Sequence, residues 1–161
     1  MVVGIDSGGT KQVLGLREGA SENAAVVGDL LAELIERGLP NDRGRGLLAV
    51  LDGSKVLARA VRSAFGSRVA IQRCQVHKLR NVTDHLPQTY HAEYRRKISA
   101  AYAMTSSGDA RPTLERIVKE LERISESAAS SLRGGIDETL TVHRLGLPAS
   151  LRRCLRTTKR D

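Results

Sequence analysis

Apolar residues recur with two different periods along this 161-residue chain, and the change from one to the other divides it. Val2 to Ile5 is a short β-branched run, and Lys11 to Leu16 alternates polar and apolar positions. Between them Ser7-Gly8-Gly9-Thr10 supplies residues that accept positive φ, so the segment predicts a hairpin. Ser21 is the expected N-cap of a first helix, in which Ala24, Val27, Leu31, Leu34 and Ile35 share a face and Gly38-Leu39-Pro40 ends the run. Leu47 to Leu51 is continuously apolar, the pattern of a strand buried on both faces, and it leads into Asp52-Gly53. Ser54 then caps a second helix with Leu57, Ala60, Val61, Ala64 and Phe65 on one side and Gly66 at its end. Arg68 to Gln72 reads as one more short strand. A hairpin followed by a βαβ unit predicts an α/β sheet.

Beyond His77, and clearly from Asn81, the β-branched runs give way to helical spacing. Tyr94, Ile98, Ala101 and Tyr102 make one face. Asp109 and Pro112 open the clearest helix, with Leu114, Ile117, Val118, Leu121 and Ile124 on one side. Shorter helices are expected over Ala128 to Leu132 and Asp137 to Leu145, separated by Gly134-Gly135 and closed by Gly146-Leu147-Pro148. The pattern therefore predicts an α/β half followed by an all-helical half.

Charge narrows the partner. Lys and Arg number 26 against 18 Asp and Glu, a formal +8 with a pI near 10.1, which points to a polyanion and first to nucleic acid. Aromatic content is only 2% (Phe65, Tyr90, Tyr94, Tyr102), which argues against single-strand modules that stack bases on aromatic platforms. Contact with DNA then falls on Lys and Arg meeting phosphates, and it weakens with salt. The longest aliphatic run, Leu47 to Leu51, is far short of the ~20 residues a membrane helix needs. No basic segment leads into an apolar stretch at the start, so no secretory signal is expected. Cys74 and Cys154 are too few for a disulfide scaffold, and a reducing cytoplasm is the expected compartment.

Several residues could carry chemistry. Asp6, in Val3-Gly4-Ile5-Asp6-Ser7-Gly8-Gly9-Thr10-Lys11, resembles the first phosphate loop of sugar kinases in the actin-like ATPase superfamily. Those enzymes clamp nucleotide between two such domains, and no second loop of this kind occurs here. The competing reading is a Gly-rich hairpin turn with a solvated Asp. Asp52 stands where α/β sheets gather ligands, at the carboxyl end of an apolar strand, and one carboxylate there can hold Mg²⁺ together with substrate phosphates. Its competing reading is an Asp-Gly turn ahead of the Ser54 cap. Cys74 and His77 form a C-x-x-H pair that could supply two zinc ligands of the four a closed site needs. Cys154 and His143 are the available completers and match no standard spacing. Otherwise the pair is a buried Cys hydrogen-bonded to a His, or a pair flanking a catalytic cleft. His85 and His91 are expected at the surface and His143 in packing. Arg73, Lys78 and Arg80, then Arg95, Arg96 and Lys97, then the tail with Arg152, Arg153, Arg156, Lys159 and Arg160, are the candidate DNA-facing cations.

These pieces in this order resemble a known family. Val13-Leu14-Gly15-Leu16-Arg17-Glu18-Gly19 with Ser21-Glu22-Asn23, then Val50-Leu51-Asp52-Gly53-Ser54-Lys55, then Gln72-Arg73-Cys74-Gln75-Val76-His77-Lys78-Leu79-Arg80-Asn81-Val82, look like bacterial Mutator-type insertion-sequence transposases. Thr139-Leu140-Thr141-Val142-His143-Arg144-Leu145-Gly146-Leu147-Pro148 and Leu155-Arg156-Thr157-Thr158 are similar to the same family. The resemblance implies a ribonuclease-H-like core over residues 1–77, incomplete here, an all-helical insertion over 78–155, and a truncated basic tail over 156–161. It implies DDE chemistry with Mg²⁺ or Mn²⁺ on DNA, with insertion-element ends and target as partners and full-length transposase as a further one. Asp52 matches the family's second catalytic Asp and so a metal ligand. Cys74 and His77 match its near-catalytic C-x-x-H, and Asp6 matches no catalytic position. The first catalytic Asp of the family precedes Val2, and its Glu follows a stretch that here runs from Arg156-Thr157-Thr158 into Lys159-Arg160-Asp161. One carboxylate of three does not seat two ions about 4 Å apart, so an inactive fragment is expected. The alternative is a non-catalytic basic protein that binds DNA or a full-length transposase through its helical half.

Overall fold

The computed structural model describes residues 1–6, 8–16, 24–40, 46–67 and 69–156. The expected N-cap Ser21, the strand start at Arg68 and the tail residues 157–161 lie outside the described residues. The chain divides into two compact units, residues 1–71 and 72–161.

The first unit is α/β. β1 (Val2–Ile5) and β2 (Lys11–Gly15) form an antiparallel hairpin in which Ile5 faces Lys11 and Val3 faces Val13. Its turn is built by Asp6, whose Oδ1 accepts from the N–H groups of Gly8 and Thr10, both at 2.9 Å. α1 (Ala24–Glu36) buries Leu30, Leu31 and Leu34 and is followed by Gly38 at φ 100°, as its Gly-Leu-Pro ending predicts. β3 (Leu48–Leu51), α2 (Lys55–Phe65) and β4 (Ala70–Arg73) follow. Ser54 caps α2 as expected, its Oγ accepting from Leu57 N–H at 3.2 Å. Leu31, Ala60, Val61 and Val69 make the core of this unit, with Val27, Phe65 and Ile71 packed against them.

Two expectations change here. The described strands form two separate two-stranded sheets, β1 with β2 and β3 with β4, where the sequence predicts one sheet. The hairpin is attached through α1 instead. The Arg37 guanidinium donates to the Leu14 carbonyl at 3.0 Å, and a Cβ on Gly15 would stand 3.0 Å from a Leu30 methyl, so a larger residue there would have to push that side chain aside. β3 is half-buried along its whole length, less than its apolar run predicts, and β4 is its only strand neighbour among the described residues.

The second unit is helical after the last residues of β4. It contains α3 (Gln75–Thr83), a 3-10 turn (Gln88–Tyr90), α4 (His91–Ala103), α5 (Ser107–Glu122), α6 (Glu126–Arg133), α7 (Ile136–Thr139), α8 (Thr141–Arg144) and α9 (Ala149–Leu155). Its core joins Val82, Tyr94, Ile98, Leu114, Leu121 and Leu132 from four successive helices. Each such aliphatic side chain contributes about 1.5–3 kcal/mol by leaving water. α5 starts earlier than Asp109 and Pro112 suggest. Ser106 is its N-cap, accepting from Asp109 N–H at 3.1 Å and donating to Asp109 Oδ2 at 2.8 Å, and Pro112 sits inside the helix. The helix expected over Asp137 to Leu145 is broken at Leu140, because the Val142 N–H is drawn to the Gln72 amide oxygen at 3.0 Å. Fully buried Gln72 also donates to the Thr139 carbonyl at 2.8 Å, which explains why the second unit begins at this residue and not at the change of periodicity beyond His77. α3 and α9 were not anticipated by the hydrophobic pattern.

Candidate functional site

Asp52 is the first residue after β3 and is half-buried. Gly53 at φ 114° turns the chain sharply, and Asp52 Oδ1 accepts the Ser54 N–H at 3.0 Å. The Asp-Gly turn and the strand-end carboxylate therefore coexist. One oxygen fixes the turn, and Oδ2 makes no hydrogen bond among the described residues. A carboxylate oxygen held this way is a hard ligand of the type Mg²⁺ and Mn²⁺ take, and it fits a site in which one protein carboxylate is joined by others and by phosphate oxygens.

The C-x-x-H spacing has a local structural cause. Cys74 is the N-cap of α3 and is completely buried. Its sulfur accepts from His77 N–H at 3.5 Å, and the His77 ring Nδ1 reaches back to the same sulfur at 3.1 Å. The first bond is an ordinary side-chain N-cap made by a thiol in place of a hydroxyl, and the second ties the ring of the N3 residue to the same sulfur, which a three-residue separation allows. The thiol donates to the Arg156 carbonyl at 3.5 Å, and Gln75 N–H donates to the same oxygen at 3.0 Å. The reading of a buried Cys hydrogen-bonded to a His is therefore seen. No group of three His, Cys, Asp or Glu that could hold a metal exists among the described residues, so Cys154 and His143 do not complete a zinc site with them.

The three cations expected near this pair differ from one another. Arg80 is exposed on α3. Arg73 is half-buried, and its Nε is buried with no hydrogen-bond partner among the described residues. Lys78 is a correction: it is 3% exposed, and its ammonium donates to the Ser131 carbonyl near the end of α6. Burial, helped by the nearby positive Arg73 and opposed by Glu138, pushes its pKa down to about 8. A lysine so enclosed neutralises helix carbonyls and is not displayed to phosphates.

Other candidates resolve simply. Asp6 is exposed, and the N–H groups of Thr10 and then Gly8 hold its carboxyl below the usual range, as the turn reading requires. His143 is buried, with Nε2 donating to the Tyr102 carbonyl at 3.1 Å, and burial lowers its pKa. His85 is exposed, whereas His91 is half-buried and donates to the Leu86 carbonyl at 2.9 Å. No helix among the described residues is long and apolar enough to cross a membrane.

The family model described as "Transposase, Mutator family" matches residues 1–160. The chain belongs to the Mutator family of transposases. It is 26% identical over 140 residues to the transposase for insertion sequence element IS256 in transposon Tn4001 of Staphylococcus aureus, a match covering 86% of this chain and 35% of the relative. It is 29% identical over 145 residues to the transposase for element ISRM5 of Rhizobium meliloti, covering 90% of this chain and 35% of that one. It is 25% identical over 158 residues to the transposase for element IST2 of Acidithiobacillus ferrooxidans, covering 98% and 51%. The chain thus spans about a third to a half of the length of these relatives.

Charge in this Mutator-family chain is uneven. Residues 72–161 carry 17 Lys and Arg against 10 Asp and Glu, and residues 1–71 carry 9 against 8, so +7 of the net +8 belongs to the helical unit. Several of those cations are spent internally. Lys97 pairs with Glu93 and Glu120 at 2.6 and 2.7 Å, and Arg152 donates to the carbonyls of Met104 and Thr105 at 3.0 and 2.8 Å. The exposed cations whose side chains make no ion pair or hydrogen bond among the described residues include Arg80, Arg95, Arg96 and Arg153, which the sequence marks, and Arg116, Lys119 and Arg123, which it does not.

Proposed function

We propose that this chain is the part of a Mutator-type transposase that contributes one metal-binding carboxylate to a DNA-cutting centre, together with a basic helical unit that meets DNA. The observation that carries the reading is Asp52, held by the Ser54 N–H at the carboxyl end of β3 with its second oxygen making no hydrogen bond among the described residues. In this reading the first unit is a portion of a ribonuclease-H-like core, and the second is an all-helical insertion. When bound, two Mg²⁺ or Mn²⁺ ions activate the attacking oxygen and stabilise the leaving one in phosphodiester cleavage and strand transfer. The chain's own contribution is positional. Gly53 and Ser54 orient the Asp52 carboxylate, and the Cys74–His77 cap fixes where α3 begins and so directs Arg80 to solvent. One carboxylate does not hold two ions, so the remaining ligands belong to a shared site, and DNA and full-length transposase are the partners. Such a protein works beside the chromosome, in the bacterial cytoplasm.

The charge surplus of the helical unit favours a second reading, a non-catalytic protein that binds DNA or a transposase through residues 72–161. Manganese broadening of amide NMR signals separates the two. Mn²⁺ added to the chain is expected to broaden the signals of residues 51–54 first, and Asp52→Asn is expected to abolish this. Equal broadening in the variant overturns the assignment of Asp52. The chain offered Mg²⁺ or Mn²⁺ and duplex containing element ends is expected to leave the strands intact, and cleavage would refute the shared-site reading.

A further inference from the structure

Four acids lie on α5, and each is already engaged. Asp109 is bonded to Ser106 at 2.8 Å, Glu115 to Arg111 at 3.5 Å, Glu120 to Lys97 at 2.7 Å, and Glu122 to Arg133. The remaining three charges of the helix are Arg116, Lys119 and Arg123 at its C-cap, spaced i, i+3, i+7. All three are exposed, and none of their side chains makes an ion pair or hydrogen bond among the described residues. Ala110, Leu114, Ile117, Val118 and Leu121 occupy the buried side of the same helix, so this spacing sets the three cations on the opposite, outward side, within an arc of about 60°. The basic stripe is therefore uncompensated, because neighbouring cations have taken the acids that would screen it.

We infer that the outward face of α5 binds the sugar–phosphate backbone of duplex DNA. The inference deepens the DNA-facing role proposed for the helical unit and rests on it. Three features select the ligand. The unit that carries α5 holds +7 of the +8 net charge, which favours a polyanion. The stripe runs about 10 Å along the helix, the length over which one strand of a duplex presents about three phosphates. α5 itself carries no aromatic side chain. Tyr94 is buried and stacks with Lys97, whose ammonium lies 4.9 Å from its ring centre. Without a stacking platform the face grips backbone and not splayed bases, and its binding is independent of sequence. On α4, which Lys97 joins to α5 through Glu120, Arg95 and Arg96 are also exposed.

The test is a salt titration with the whole 161-residue chain and a short fluorescent duplex of arbitrary sequence. Wild type is compared with R116Q/K119Q/R123Q and with K55Q/R59Q/R62Q, which removes the same charge from the exposed side of α2. Three lost phosphate contacts make the slope of log affinity against log salt shallower by about 2.7 in the α5 variant. Between 50 and 200 mM salt, wild-type affinity is then expected to fall about 40-fold more steeply than that of the variant. The α2 variant is expected to keep the wild-type slope, and R116K/R123K, which keeps the charge and guards against misfolding, is expected to behave as wild type. An unchanged slope in the α5 variant, or an equal loss in both triple variants, overturns the assignment to α5 and leaves the DNA role standing. Wild type that does not bind duplex even at low salt overturns both.

Discussion

Lys78→Met isolates the energetics of a charge that the fold encloses. The ammonium of Lys78 donates to the Ser131 carbonyl beside Gly135, with the Arg73 guanidinium and the Glu138 carboxylate as its charged neighbours. Burial lowers its pKa from 10.5 to about 8. Between those two values the unfolded chain holds a proton that the folded chain has released, so stability must rise as pH rises. Below pH 8 both states are protonated, and the full penalty of the enclosed charge is present. Taken at face value, the shift makes unfolding about 2 kcal/mol more costly at pH 9.5 than at pH 7, and residual solvation of the ammonium reduces the expected gain to about 1–2 kcal/mol.

Met keeps the unbranched stem and cannot titrate. At pH 7 the substitution removes the desolvated charge but leaves the Ser131 carbonyl without this donor, a cost of about 1–3 kcal/mol, and the two effects nearly cancel. Urea denaturation followed by circular dichroism at pH 7 and 9.5 is the assay. Taking wild type minus variant removes every other titrating group from the comparison. The expected result is a difference near zero at pH 7 that grows in favour of wild type by about 1–2 kcal/mol at pH 9.5. A difference that does not change with pH would show that Lys78 titrates as an exposed lysine, and the burial argument would fail.

Gly135→Ala tests the same contact from the other side. A Cβ there would stand 2.8 Å from the Lys78 nitrogen, so the lysine must leave the Ser131 carbonyl; the variant is expected to be destabilised by about 1–3 kcal/mol, with most of that loss absent in the Lys78→Met background, and fully additive losses in the double-mutant cycle would refute the contact. Ser106→Ala removes the N-cap of α5 and is expected to lower the unfolding free energy by about 1 kcal/mol, whereas Ser106→Asp is expected to retain most of it, both read from urea midpoints.

What the sequence alone made legible follows from the range of the interactions involved. Ser54, Gly38 and Gly66 mark helix ends through contacts within a few residues, and those predictions match the structure. The faces of α4 and α5 are visible because burial is periodic over many residues, as the enclosed Tyr94, Ile98, Leu114 and Leu121 confirm. Longer-range terms were hidden. Leu140 interrupts a segment with a helical pattern because Gln72, seventy residues before Val142, takes its N–H. Lys78 sits in a run of cations that a linear reading assigns to a surface, and only the approach of α6 shows that it is enclosed. The same limitation applies to charge. Lys97, Arg111 and Arg133 are indistinguishable in sequence from Arg116, Lys119 and Arg123, yet the first three draw partners from beyond one helical turn, at Glu120, Asp137 and Glu122. A net charge sums over all of them, while a phosphate meets only those left over. The functional surface of a basic protein is therefore a residue of its ion pairing. In this chain what is left over includes Arg116, Lys119 and Arg123 on α5, which no motif marks, as well as Arg80 beside the C-x-x-H motif.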